Sequence, residues 1–141
     1  MASQTVVLDT NIVLDLFVFA DQAARPLRSR LEDAALRWVA TAAMRDELER
    51  VLAYPQIVAR LAFYRLAAAD VLGIFDRLSV RVDVPAKAPV TCKDPDDQKF
   101  VDLAVTNRAI LLSKDLAVLA LTKRLERLAV HVGACLPAGE L

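Results

Sequence analysis

The sequence has few of the residues from which zinc and redox sites are built. Its two cysteines, Cys92 and Cys135, lie far apart and lack the paired spacing of zinc ligands or redox motifs. Its only histidine, His131, lies between two valines near the end of the chain. We therefore expect two reduced, structural thiols and a histidine in or beside a last strand.

Net charge and long apolar runs are also absent. The 18 Lys and Arg residues balance the 18 Asp and Glu residues, so no global basic field attracts nucleic acid and any such contact must be local. Charged residues interrupt every apolar stretch well short of the roughly 20 residues that a membrane span requires. The first residues lack the basic region of a signal peptide. We therefore expect a cytoplasmic protein that does not associate with membranes.

Apolar residues are plentiful. They make up 56% of the 141 residues, against about 45–50% in a typical soluble domain. A chain of this length suits one domain with a full core, which we place at residues 1–141. The apolar surplus indicates a thick core and one apolar interface, so we expect a homodimer or a protein partner.

Strand patterns alternate with helix patterns along the whole chain, which predicts an α/β fold with a parallel sheet covered on both faces. The predicted strands are residues 5–8, 36–39, 80–84, 109–112 and 128–132. The predicted helices are residues 11–19 with Thr10 as N-cap, a segment from Pro26 that includes Ala34 and Ala35, a segment capped by Thr41, residues 57–78 with a weak point near Gly73, a segment opened by residues 94–97, and residues 113–121.

Acidic residues recur where these predicted elements meet. Asp9 closes the apolar run before it, which delivers its carboxylate to the crevice where open parallel sheets hold their ligands. Asp97 and Asp115 stand at similar junctions, and Glu47 borders the apolar stripe of a helix. Each acid alone also fits a cap, a turn or a solvated helix charge. Together, four carboxylates at one rim of the sheet would suit a hard divalent cation.

Four segments carry a resemblance to a known family. In order they are VVLDTNIVL (6–14), DELERVL (46–52), DPDDQKFVDLA (94–104) and LLSKD (111–115). This ordered set, which covers nearly the whole chain, resembles the PIN domain, in particular the branch of VapC-like toxins of toxin–antitoxin systems. The resemblance implies a three-layer α/β/α fold with a central parallel sheet of four to five strands.

The resemblance also implies a function and a set of site residues. PIN ribonucleases bind Mg²⁺ or Mn²⁺ through acidic residues and cleave single-stranded RNA, and the matching positions here are Asp9, Glu47, Asp97 and Asp115. These four are the expected catalytic acids and metal ligands. Supporting positions that orient the acids match Asn11, Ser113 and Asp94.

The sequence departs from the family pattern at two positions. Lys114 stands where glycine is common, and Ala117 stands where many members have another aspartate. Three roles stay open for Lys114: contact with substrate phosphate, screening of Asp115, or a solvent-facing side chain. Asp15, one helical turn beyond Asn11, either faces the same cleft or is a solvated helix charge.

The expected activity is therefore that of a metal-dependent endoribonuclease, the toxin of a pair that also contains an antitoxin protein. The alternative is a catalytically silent PIN-like domain that binds RNA or protein, although the retention of all four acids favours an enzyme. A phosphoacceptor receiver domain would need a pair of acids after the first strand, and a dehalogenase-like phosphatase would need an acid at position 11. Thr10 and Asn11 fit neither.

Overall fold

The computed structural model describes residues 4–137, which form a five-stranded, fully parallel sheet flanked by helices. The strand order is β3-β2-β1-β4-β5. The strands are β1 Gln4–Leu8, β2 Leu36–Ala40, β3 Ser79–Arg81, β4 Ile110–Leu112 and β5 Val132–Gly133. The predicted three-layer α/β/α class with four to five parallel strands is confirmed.

The connections between the strands are helical. The helices are α1 Thr10–Phe17, α2 Arg25–Glu32, α3 Ala42–Leu52, α4 Pro55–Phe63, α5 Ala68–Leu78, α6 Gln98–Asn107, α7 Leu116–Leu119 and α8 Thr122–Glu126, with short 3-10 helices at Gln22–Ala24 and Pro95–Asp97. Within residues 4–137, no helix is both long and apolar enough to cross a membrane.

The middle of the sheet is apolar on both faces. Val7 of β1 pairs with Leu111 of β4, and both are fully buried. A parallel strand covered on both faces has no solvent-facing side, which explains why β1 and β4 are nearly continuous apolar runs. In β2, the buried Trp38 stacks on Phe17 and meets Phe75 edge-on at a ring-centroid distance of 4.9 Å.

The prediction of one helix over residues 57–78 is wrong. Residue Arg65 has a left-handed backbone, with φ 57°, and the amide of Leu66 donates to the carbonyl of Leu61. This bonding pattern ends α4. The next helix begins where the Asp70 carboxylate accepts a hydrogen bond from the Ala67 amide, at 2.9 Å. Gly73, the predicted weak point, lies inside α5.

The bounds of other elements also differ from the prediction. The N-cap of α1 is Asp9 rather than Thr10, and neither Ala34 nor Ala35 belongs to α2. Ala34 has a positive φ of 58°, which a helix does not allow. The last strand lies at Val132–Gly133 instead of 128–132, and β3 is Ser79–Arg81 instead of 80–84. The apolar patterns mark both strands but misplace their ends.

Candidate metal centre

The carboxyl ends of the two central strands bring Asp9 and Ser113 together. The Asp9 amide continues the sheet by donating to the Leu112 carbonyl at 3.0 Å. The Ser113 hydroxyl, which is fully buried, donates to the Asp9 carboxylate at 2.6 Å and accepts a hydrogen bond from the Asp115 amide at 3.0 Å. One hydroxyl group therefore fixes the Asp9 carboxylate and the start of the Asp115 segment.

The Asp9 carboxylate is held in a buried position, with 4% of the residue exposed. Burial raises its pKa because a carboxylate loses hydration there, although the Ser113 hydroxyl and the Asn11 amide both donate to the ionised form. The negative charges of Glu47 and Asp115 raise the pKa of Asp9 further. Asp9 thus lies within electrostatic reach of two of the other predicted acids.

A second group of acids comes from the loop before α6 and the turn after β4. Asp94 caps the 3-10 helix Pro95–Asp97 by accepting from the Asp96 amide, and Asp115 caps α7 by accepting from the Ala117 amide at 2.8 Å. Asp94, Asp97 and Asp115 each place a carboxylate oxygen within 4.8 Å of the others. Oxygen atoms grouped this closely can ligate one hard cation.

Asp97 is the most buried acid of this group, and its pKa is strongly raised. The residue is 8% exposed, and its Oδ2 atom is buried without a hydrogen-bond partner among residues 4–137. The pKa of Asp97 is raised to about 7, first by burial and then by the charge of Asp9, a hydrogen bond with Asp115 and the charges of Asp115 and Asp94. An unpartnered buried carboxylate oxygen normally costs stability, and a bound divalent cation would remove that cost.

Glu47 approaches the site from α3 with both carboxylate oxygens engaged. Its Oε2 atom accepts a short hydrogen bond from the Thr10 hydroxyl, and its Oε1 atom lies 2.7 Å from the ammonium nitrogen of Lys99. Lys99, near the start of α6, also donates to the Asp96 carbonyl. The structure therefore brings all four predicted acids to one edge of the sheet, but holds Glu47 in an ion pair.

The other predicted residues lie as follows. Asn11 is exposed, and its backbone amide donates to the Asp9 carboxylate. Asp94 was predicted only to orient the other acids, but its carboxylate lies in one group with those of Asp97 and Asp115. The Lys114 ammonium lies 2.5 Å from Asp15. This pair lines a cavity of about 480 Å³, and the lining includes none of the acids of the candidate metal centre. Lys114 therefore pairs with Asp15, and its contact with substrate stays a prediction.

Two site residues were missed by the sequence analysis. Thr10 was interpreted as a helix cap, yet its buried hydroxyl contacts Glu47, which is 37 residues away in sequence. No role was predicted for Lys99, although its position two residues after Asp97 could have indicated a positive charge near the acids. Both contacts depend on how α3 docks against α1 and α6, which no local pattern reports.

A family model described as PIN domain matches residues 5–117. The chain belongs to the PIN domain family. The match begins in β1 and ends after Asp115, so it includes every acid described above. No curated protein and no solved structure matches the chain. PIN domains are generally metal-dependent nucleases, so membership of the family indicates a nuclease. The acids at the edge of the sheet are residues that could hold the metal ion of such an enzyme.

Proposed function

We propose that this PIN domain is a metal-dependent endoribonuclease that cleaves single-stranded RNA with Mg²⁺ or Mn²⁺, and that it is the toxin of a toxin–antitoxin pair. The observation that carries the metal dependence is the buried, unpartnered Oδ2 atom of Asp97 beside the carboxylates of Asp94 and Asp115. The donor set consists of oxygen atoms alone, which hard divalent cations prefer.

The residues that would hold the cation are Asp9, Glu47, Asp97 and Asp115, with Asp94 as an additional donor. When bound, the cation would supply positive charge to the scissile phosphate and to the oxygen that leaves. The protein contributes orientation: Ser113 fixes the Asp9 carboxylate, and the Ala117 amide fixes Asp115. Burial of Asp9 and Asp97 keeps water from screening their charges.

RNA as the substrate is consistent with the charge balance of the protein. Because the 18 basic residues equal the 18 acidic residues, substrate binding would rest on a few local contacts. Lys114, 48% exposed at its side chain, is a candidate contact for a backbone phosphate, which would compete with Asp15 for the ammonium group. Single-stranded RNA is the substrate class that the family resemblance implies.

A homodimer and an antitoxin partner form part of the same proposal. Apolar side chains project from α4 and its ends: Phe63 is 77% exposed, and Val58 and Tyr64 are also exposed. Such a grouping supports a protein interface. Sedimentation of wild type and Phe63→Asp tests the dimer: we expect a wild-type dimer that the charge dissociates, and a wild-type monomer at high concentration would contradict it.

The activity is tested with a fluorescent single-stranded RNA and a DNA strand of the same sequence, each with Mg²⁺, Mn²⁺ or chelator. We expect cleavage of RNA only when a cation is present. Asp97→Asn should reduce the rate by about a hundredfold or more, because it removes one of the charges that position the cation. Asp96→Asn is the matched control, since Asp96 is exposed and adjacent in sequence.

The outcomes separate the alternatives. Binding of RNA without cleavage under every metal condition would support a catalytically silent RNA-binding PIN domain. Cleavage that persists at full rate in chelator, or in folded Asp97→Asn, would contradict the proposed metal centre. Equal cleavage of the DNA strand would leave the nuclease assignment standing and overturn the RNA specificity.

A further inference from the structure

The ion pair between Lys99 and Glu47 lies at the acidic edge of the sheet. Its atoms are 2.7 Å apart, and the two side chains are 26% and 17% exposed. A pair at this depth is screened by solvent and salt much less than a surface pair. The Lys99 charge therefore acts on the Glu47 carboxylate with little screening.

Lys99 is the cation that pairs with this acidic edge, through Glu47. Asp9, Glu47, Asp94, Asp97 and Asp115 gather at this edge, and of the lysine and arginine residues between positions 4 and 137, only Lys99 forms an ion pair with any of them. Carboxylates this close repel one another, so a fixed ammonium group stabilises the arrangement when no metal is present.

Glu47 differs from Asp97 in the availability of its oxygens. Asp97 has an oxygen without a partner, whereas Glu47 has a hydroxyl donor on one oxygen and the Lys99 ammonium on the other. A cation that takes Glu47 as a ligand must therefore compete with Lys99. The Lys99 ammonium also donates a hydrogen bond to a second acceptor, the Asp96 carbonyl. Lys99 can leave Glu47 without losing every partner.

We propose that Lys99 is a built-in counter-ion that neutralises Glu47 in the metal-free protein and is displaced from it when a divalent cation binds. The inference rests on the proposed function, because it takes the acidic edge as the metal centre. It assigns to Lys99 a positioning role: Lys99 holds Glu47 in place before the metal arrives and weakens the metal's apparent affinity by competition.

The experiment measures Mn²⁺ affinity by calorimetry for wild type, Lys99→Met and Arg45→Met. Methionine keeps a long side chain and removes the charge. We expect Lys99→Met to bind Mn²⁺ about tenfold more tightly, the equivalent of about 1.4 kcal/mol, because the competitor for Glu47 has gone. Arg45→Met is the matched control, since it removes an equal charge from the Asp76 pair outside the acidic edge and should change the affinity by less than about twofold.

A measurement on the wild type keeps the inference testable if Lys99→Met does not fold. Reductive methylation with mass spectrometry reports the accessibility of each lysine. Saturating Mn²⁺ should raise the methylation rate of Lys99 and leave that of Lys114 unchanged. An unchanged Lys99 rate would overturn displacement.

The affinities distinguish this inference from the proposed function. Wild type and Lys99→Met that bind Mn²⁺ equally well would overturn competition by Lys99 and leave the metal centre standing. Weaker binding by Lys99→Met would also overturn competition, because Lys99 would then act only as a support for Glu47. An absence of Mn²⁺ binding in both proteins would overturn the metal centre together with the inference.

Discussion

Replacing Asp97 by asparagine should stabilise the metal-free protein, and more so as the pH rises. The native state keeps the Asp97 proton up to a pKa of about 7, whereas the unfolded chain releases it near the ordinary aspartate pKa of 3.8. Between these values the native state binds more protons than the unfolded state, so the free energy of unfolding falls as pH rises through that window. Asparagine is neutral in both states and removes this loss.

The size of the effect follows from the shift in pKa. At about 1.4 kcal/mol per unit, ionising Asp97 in the native state costs at most about 4 kcal/mol, of which about 3 kcal/mol falls between about pH 5 and pH 8. Relaxation of the site and entry of water lower this limit. We therefore expect the advantage of Asp97→Asn over wild type to grow by about 1–3 kcal/mol across that range.

Urea unfolding in chelator provides the assay. Trp38 is the single tryptophan, is 1% exposed and lies in the core, so its fluorescence reports loss of the native fold. Midpoints and slopes for wild type, Asp97→Asn and Asp96→Asn would be compared at about pH 5 and about pH 8. Asp96→Asn should follow the wild type because Asp96 is exposed.

Two results would refute this reasoning. A difference between Asp97→Asn and wild type that is the same at both pH values would mean that the Asp97 pKa is not raised. An equal gain for Asp96→Asn would mean that any lost charge near α6 stabilises the protein. Adding Mg²⁺ or Mn²⁺ should reduce the advantage of Asp97→Asn at pH 8, because a ligand at about a hundred times its Kd adds about 2.7 kcal/mol to the protein that binds it.

Three further substitutions test the local arguments, each measured by urea unfolding. Ser113→Ala should cost about 1–3 kcal/mol and weaken Mn²⁺ binding, because it removes two hydrogen bonds at Asp9 and Asp115; unchanged stability would contradict the role of the hydroxyl. Gly73→Ala should add about 0.5–1 kcal/mol, since a Cβ atom there meets nothing within 4 Å in the middle of α5. Arg65→Gly should be neutral or add up to about 1 kcal/mol by relieving the positive φ, and a large loss would show that the Arg65 side chain contributes to the end of α4.

The fold was predictable from the sequence because buried parallel strands need continuous apolar runs. Residues 5–8 and 109–112 were predicted within one residue of β1 and β4. The errors concern the ends of elements, where one hydrogen bond decides the outcome. The prediction of one helix over residues 57–78 was wrong because the apolar pattern of this segment is continuous, whereas the left-handed Arg65 and the Asp70 cap divide it into two helices.

The site was predictable to the extent that sheet topology determines it. A parallel sheet presents the ends of its strands at one edge, so Asp9 and the segment after β4 had to meet there. The sequence could not show how α3 docks, and hence that Thr10 and Lys99 engage Glu47. The same four acids could have faced the edge with every oxygen paired. The unpartnered oxygen of Asp97 therefore adds an argument for a cation that the acidic pattern alone does not contain, because burial without a partner is unfavourable unless something else compensates the charge.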